Sequence, residues 1–271
     1  MLNIRRAPFA TLLMLIALGV FAPITHAAFP VAQVPPGVDL FVPEILSVRP
    51  HDPNAFTQGL LLHDGLLYES TGRYGESTLR EVDPETGEVL RQHELVPSLF
   101  AEGLALVDDR LIQITWQERS ALVYDLDTFR FEQSFSYRGE GWGLCYDGES
   151  LYMSDGSDVI TVRDPENFRV LDTLNVTFGD QPLVQINELE CVDDSIYANV
   201  WQTDFIVRID KWSGVVDGLI DLRGLLAPED RPADPGGVLN GIAYDPESET
   251  FLITGKLWSQ LFEVRFIPYE P

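Results

Sequence analysis

From Phe56 onward, apolar and polar side chains alternate in runs of about six residues broken by Asp, Gly and Pro, the pattern of β-strands rather than of helices. In FTQGLLLHDGLLYEST one such run meets a His63-Asp64-Gly65 turn and then a second run, which predicts a hairpin. A third strand is expected at TLREVD and a fourth at EVLRQHEL. The same order returns in FAEGLALVDDRLIQIT, GEGWGLCYDGESLYMS, QINELECVDDSIYANV and VLNGIAYDPESETFLIT. Aligned on Gly59, Gly103, Gly143, Glu188 and Gly241, the units follow one another at steps of 44, 40, 45 and 53 residues. Four strands per unit at this spacing is a propeller blade. A β-sandwich also alternates, but its strands do not recur as matched units. The pattern therefore predicts an all-β, five-bladed β-propeller.

The fifth unit ends in LFEVRFIPYEP and has no sequence left for an outer strand. Residues 44–49, EILSVR, look like that missing strand, so the N-terminal strand is expected to complete the last blade and cover an otherwise open edge. The Pro-, Asp- and Gly-rich residues 225–238 read as a loop insertion. Ahead of the first unit, Arg5 and Arg6 precede an apolar run broken by Pro23 and a Thr25-His26-Ala27 step, the layout of a secretory signal peptide. That run is shorter than the roughly 20 residues a spanning helix needs. Residues 1–27 are expected to be removed on export to the periplasm or the medium, leaving 28–271 as one propeller domain with no hold on the membrane.

The formal net charge is −25, and loss of the two leader arginines makes the exported chain more acidic still. Nucleic acid and anionic membrane are thereby disfavoured as partners. Surface acid of this kind keeps an exported protein soluble. Two cysteines and four histidines show no zinc-ligand spacing. Cys145 lies two residues past its alignment point and Cys191 three past its own, so the two side chains point to opposite faces of adjacent blades. Facing blades need that parity for a cross-blade disulfide; two free buried thiols are the alternative.

The repeat also allows positions to be compared between blades. Just before each alignment point stand Gln58, Glu102, Trp142, Asn187 and Asn240, which are polar or large where blade packing asks for neither. The first strand of a blade is innermost and the second returns beside it, so the start of one and the end of the other share a rim. At the second-strand ends stand Trp116, Trp201 and Lys256, with Gly72 and Gly156 leaving space in blades one and three. Phe56 and Phe100 lie two residues before Gln58 and Glu102. One mouth should thus gather a carboxylate, an ammonium, several amides and five aromatic rings, although tryptophans also serve simply as packing between blades. A carboxylate ringed by aromatics is desolvated and primed for proton transfer near neutral pH, with the lysine pulling the other way. An aromatic cage attracts a substrate ammonium, and side-chain amides can hold an amide oxygen. No Ser/His pair or spare Cys offers a covalent nucleophile at that rim.

The strings FTQGL, YESTGRYGESTLREVD, FAEGLAL, TWQ, EGWGL, SDGS, INELE, NVWQTD and NGIAYD with TGKLW resemble plant- and bacterial-type glutaminyl-peptide cyclotransferases, from about Ile45 to Val264. The resemblance implies a metal-independent acyltransferase on a five-bladed propeller. In it, the α-amine of an N-terminal glutamine attacks its own γ-carboxamide, closing pyroglutamate and releasing ammonia. By matching motif it makes Glu102 the general acid/base, gives Lys256, Gln58 and Asn187 the amide oxygen, and makes Phe56, Phe100, Trp116, Trp142 and Trp201 the pocket. It requires no cofactor for catalysis, is compatible with a structural calcium in the channel, and implies a monomer acting on peptides and proteins with N-terminal Gln. A non-catalytic, peptide-binding propeller would keep the aromatic rim but has no need of Glu102 beside Lys256. A lactonase would want a metal cluster, and a glycosidase a pair of carboxylates where this rim shows one.

Overall fold

The computed structural model describes residues 34–270; the expected signal peptide lies outside the described residues. The chain enters on β1 (Asp39–Pro50) and then lays down antiparallel sheets in order. Blade one is β2 (Thr57–His63), β3 (Leu66–Thr71), β4 (Thr78–Val82) and β5 (Val89–Glu94); blade two is β6 (Ala101–Val107), β7 (Arg110–Thr115), β8 (Ser120–Asp125) and β9 (Phe131–Ser136). Blade three is β10 (Leu144–Tyr146), β11 (Leu151–Met153), β12 (Val159–Arg163) and β13 (Val170–Asn175). A small hairpin, β14 (Thr177–Phe178) with β15 (Gln181–Pro182), precedes blade four: β16 (Ile186–Val192), β17 (Ser195–Val200), β18 (Phe205–Asp210) and β19 (Val216–Asp221). Blade five is β20 (Leu239–Asp245), β21 (Thr250–Gly255) and β22 (Gln260–Pro268), with β1 as its fourth strand.

The turns explain why the units fold locally. Asp64 and Gly65 both take positive φ, 49° and 76°, as a tight two-residue hairpin requires. Along β2 and β6 nearly every side chain is buried, whereas β5 and β9 alternate or face solvent, which sets the first strand of a blade inside and the fourth outside. The first strands adjoin one another in a closed cycle, β2 to β6 to β10 to β16 to β20 and back to β2. Apolar side chains accordingly gather between blades: Leu61 and Leu79 meet Leu104 and Leu111, and Leu60 and Leu67 of blade one meet Ala243 and Leu252 of blade five. The alignment glycines have a steric reason. A Cβ on Gly59, Gly103 or Gly143 would fall 2.6, 2.4 or 2.0 Å from backbone atoms of the next inner strand.

β1 completes the last blade as expected, pairing antiparallel with β22 along most of its length. It is longer than residues 44–49, because Asp39–Phe41 also run parallel to Gly218–Ile220 and fuse blades four and five into one eight-stranded sheet. The apolar Leu40 and Phe41 pack against the cores on that side and so favour the extra pairing. Cys145 and Cys191 form a disulfide between blades three and four, with Cα atoms 5.5 Å apart.

Candidate functional site

The inner strands do not begin as regular ladders. The pairing register of the first hairpin slips between Thr57 and Gly59, Ala101 and Leu104, Ile186 and Leu189, and Leu239 and Ile242. Gln58, Glu102, Asn187 and Asn240 therefore each sit in a bulge, which bends the strand and re-aims a side chain. In blade three β10 starts only at Leu144, and Trp142 stands ahead of it, with Ser154 Oγ taking the Gly143 N–H at 2.7 Å. Trp116, Trp201 and Lys256 directly follow β7, β17 and β21.

A cavity of about 230 Å³ opens at this mouth, lined by Phe56, Gln58, Phe100, Glu102, Trp116, Trp142, Asn187, Trp201, Gly236 and Lys256. It brings together all nine residues that the motifs assign to the site. Asn240 does not join them: its amide turns inward and donates to the Thr57 carbonyl at 2.9 Å, tying blade five to blade one. The space left by Gly72 and Gly156 is filled by rings, since a Cβ would meet Phe100 at 2.4 Å in the first and Trp142 at 2.7 Å in the second. Gly236, from the insertion between blades four and five, reaches the cavity where the sequence shows only a loop; it packs against the Phe56 ring.

The walls are edge-to-face pairs: Phe56 with Phe100 at 6.3 Å, Phe100 with Trp116 at 5.7 Å, and Trp142 with Trp201 at 5.4 Å. Glu140 holds two of these rings and was not singled out by the repeat. Its Oε2 accepts from the indole N–H groups of Trp116 at 2.8 Å and Trp142 at 3.1 Å, while its Oε1 accepts from Gln117 at 3.0 Å. Burial pushes its pKa up, but these donors more than offset that and leave it lowered. The one clue was its place two residues before Trp142 in GEGWG. Arg73 covers the outer face of Phe56, 4.4 Å from the ring centroid, and pairs with Asp234 of the insertion at 2.5 Å.

Electrostatics at the floor are set by burial. The Glu102 carboxyl is pushed well above the ordinary range by desolvation, with Lys256 pulling it back and Glu140 and Glu118 raising it further. Desolvation drags the Lys256 ammonium down to about 8 against the attraction of Glu102 and Glu188. Its Nζ lies 5.0 Å from the Phe56 centroid. Gln58 Oε1 and Asn187 Oδ1 are buried with no hydrogen-bond partner among the described residues. Such orphaned atoms are destabilising unless a ligand supplies the missing partner. The arrangement can transfer protons through one neutral-leaning carboxyl, hold a polar group with two side-chain amides and an ammonium, and exclude water with aromatic walls.

A family model described as glutamine cyclotransferase matches residues 14–266. A glutaminyl-peptide cyclotransferase of Arabidopsis thaliana is 40% identical over 228 residues, covering 82% of this chain and 70% of the relative. The crystal structure of Myxococcus xanthus glutaminyl cyclase superposes with a TM-score of 0.81 at 39% identity, covering 86% of this chain and all of that one. The WD40 repeats of RRP9, at 9% identity and a TM-score of 0.53, share the fold alone.

Proposed function

The chain belongs to the glutamine cyclotransferase family, whose reaction closes N-terminal glutamine to pyroglutamate with release of ammonia, and we propose that the cavity runs this reaction with Glu102 as its acid–base group. The observation that carries this reading is the position of Glu102, a buried carboxyl that shares one cavity with five aromatic rings and a buried ammonium. A glutamine side chain folded back on its own amine fits such a space. Aromatic walls hold the two ends close, which converts attack into a well-oriented intramolecular step.

The neutral α-amine forms a bond to the γ-carboxamide carbon, and negative charge moves to the amide oxygen. Lys256, together with the side-chain amide N–H groups of Gln58 and Asn187, donates to that oxygen as the charge grows. Glu102 takes a proton from the attacking nitrogen and delivers it to the departing one. The carbon–nitrogen bond then breaks, ammonia leaves, and the carboxyl returns to its starting state. A raised pKa suits a group that must both accept and donate near neutral pH.

The charge-stabilising role falls to Lys256, whose ammonium would repel a metal ion at the same oxygen, and on this reading catalysis is metal-independent. Calcium coordination calls for roughly six to eight oxygens, and among the described residues no group of three His, Cys, Asp or Glu side chains converges to offer them. No residue is therefore assigned to a structural calcium. The cross-blade disulfide is the kind of bond an oxidising compartment preserves, which supports export to the periplasm or the medium.

The test is Glu102→Gln, assayed by ammonia release from a Gln-initiated dipeptide. Turnover is expected to fall by about 100- to 10,000-fold with folding intact; wild-type turnover refutes the role. Activity is also expected to survive EDTA, and a reversible loss restored by zinc contradicts the metal-free reading. A protein that bound the dipeptide but never released ammonia would instead be a peptide-binding propeller.

A further inference from the structure

The seam between blades one and five carries a buried ion pair that the reaction does not use. His51 follows β1, and Glu69 lies on β3; both are buried. His51 Nε2 is 3.1 Å from Glu69 Oε1, and His51 Nδ1 is 2.7 Å from the Trp258 carbonyl oxygen. A carbonyl only accepts, and an ionised carboxylate only accepts, so the ring must present N–H on both nitrogens and stand as an imidazolium. Glu69 is fixed as the anion by a second donor, the Thr57 hydroxyl at 2.7 Å, and by the Arg80 guanidinium at 3.9 Å. The other charged group facing the pair is Asp52, which is itself held by Arg80 at 2.8 Å. Burial alone would lower the His51 pKa, but Glu69, the Trp258 carbonyl and Asp52 hold it above its ordinary value.

Both ends of this pair reach the cavity through one residue. Thr57 lies between Phe56 and Gln58. Trp258 closes the turn Gly255-Lys256-Leu257-Trp258, in which the Trp258 N–H donates to the Gly255 carbonyl at 3.0 Å and Leu257 holds a positive φ of 63°. A non-glycine residue in that region is strained and persists only when its surroundings fix it. The turn is pinned by Lys256 N–H to Val238 at 2.9 Å, by Leu257 N–H to Ala55 at 2.7 Å, and on its carbonyl side by His51.

We propose that His51, oriented by Glu69, is a positioning residue for Lys256: by donating Nδ1–H to the Trp258 carbonyl it fixes the strained turn that presents the ammonium to the cavity. The proposal rests on the reading above in which Lys256 stabilises the developing oxyanion. Displacing a charge-stabilising group by a fraction of an ångström weakens the transition state more than it weakens binding, so the effect belongs in kcat rather than KM.

Two substitutions separate positioning from simple support of the seam. The Asn amide nitrogen falls where Nδ1 stands and can still reach Trp258, whereas the Gln amide falls where Nε2 stands and reaches Glu69 instead. Both break the ion pair equally. His51→Asn is expected to keep kcat within about fivefold of wild type, and His51→Gln to lose about 30-fold or more with little change in KM. Glu69→Gln leaves a neutral ring able to donate to Trp258 and is expected to lose less than about fivefold. Equal losses in the two position-51 variants, or wild-type kcat in His51→Gln, overturn the proposal. Should neither variant fold, Glu69→Gln decides alone, since a collapse of its kcat places the effect in the ion pair and not in the carbonyl anchor. The ¹⁵N shifts of the wild-type ring at neutral pH, with His63 and His93 as internal references, are expected to show both nitrogens protonated; one bare nitrogen refutes the imidazolium. Lys256→Met is run beside them. If it keeps full turnover the role of Lys256 itself fails, whereas if it is inactive while His51→Gln is normal only the positioning claim fails.

Discussion

Removing the Glu140 carboxylate is expected to loosen the cavity while leaving in place every side chain that lines it. One oxygen of this side chain takes two indole N–H groups, from Trp116 in blade two and Trp142 in blade three, and so locks two walls contributed by different sheets. A hydrogen bond to a charged group is worth roughly 1.5–3 kcal/mol. Because Glu140 remains in contact with solvent, water can replace part of what the indoles lose, and the pair together is set at about 2 kcal/mol. Expressed wholly in the transition state, that is about 30-fold in kcat/KM. Glu140→Ala is therefore expected to lose about ten- to 30-fold, with tryptophan emission shifted to the red as both indoles gain water. Glu140→Gln can place its amide oxygen where Oε2 stands, keep both indoles and give up only Gln117, so a loss of about threefold is expected. The assay is ammonia release over a range of dipeptide concentrations, so that kcat and KM are separated. An alanine variant within about twofold of wild type refutes the argument. So does a glutamine variant as poor as the alanine one, which would mean that the charge of Glu140 matters and its geometry does not.

Two further outcomes follow from the same structure. Since the Lys256 ammonium titrates at about 8, it is charged below that value and neutral above it, so kcat is expected to fall as pH rises through about 8; Lys256→Met should be slower at every pH and lack that limb, and a wild-type kcat that stays flat to high pH counts against the oxyanion role. The Cys145–Cys191 bridge spans 46 residues, and replacing both with Ser is expected to lower stability by about 2–4 kcal/mol, read as a lower Tm with kcat/KM nearly unchanged; an unaltered Tm would show that the bridge restrains the unfolded chain very little.

The blades were legible because each unit buries the same positions for the same reason. Gly59, Gly103 and Gly143 recur where an inner strand lies against its neighbour too closely for a Cβ, and an internal comparison finds such a constraint without any relative. What escaped depends on partners far away in the chain. Asn240 occupies the same repeat position as Glu102, yet its amide bonds Thr57 across 183 residues and leaves the cavity. Glu140 stands at the repeat position that Phe56 and Phe100 fill in blades one and two, but it bridges two tryptophans that only the closed ring brings near. His51 lies before the repeat begins, and its two partners sit 18 and 207 residues away. The parallel pairing of Asp39–Phe41 with blade four was hidden for the same reason.

The site residues stood out in the sequence because bulges release them from the duty of packing. A regular β-strand would send the residue before each alignment point into the interface between blades, where shape is dictated by the neighbouring sheet and the identity would be as uniform as at the glycine that follows. The slipped registers at Gln58, Glu102, Asn187 and Asn240 break that alternation at the channel mouth. Each blade can then carry a different side chain there while its core stays the same. Glu188 marks the opposite case: it occupies an alignment point itself, and its carboxylate is spent on the backbone N–H groups of Leu60 and Ile242, at 3.4 and 2.9 Å, inside the channel. Variation at a bulge therefore points to the cavity for Gln58, Glu102 and Asn187, whereas Asn240 and Glu188 are answered by the protein's own backbone.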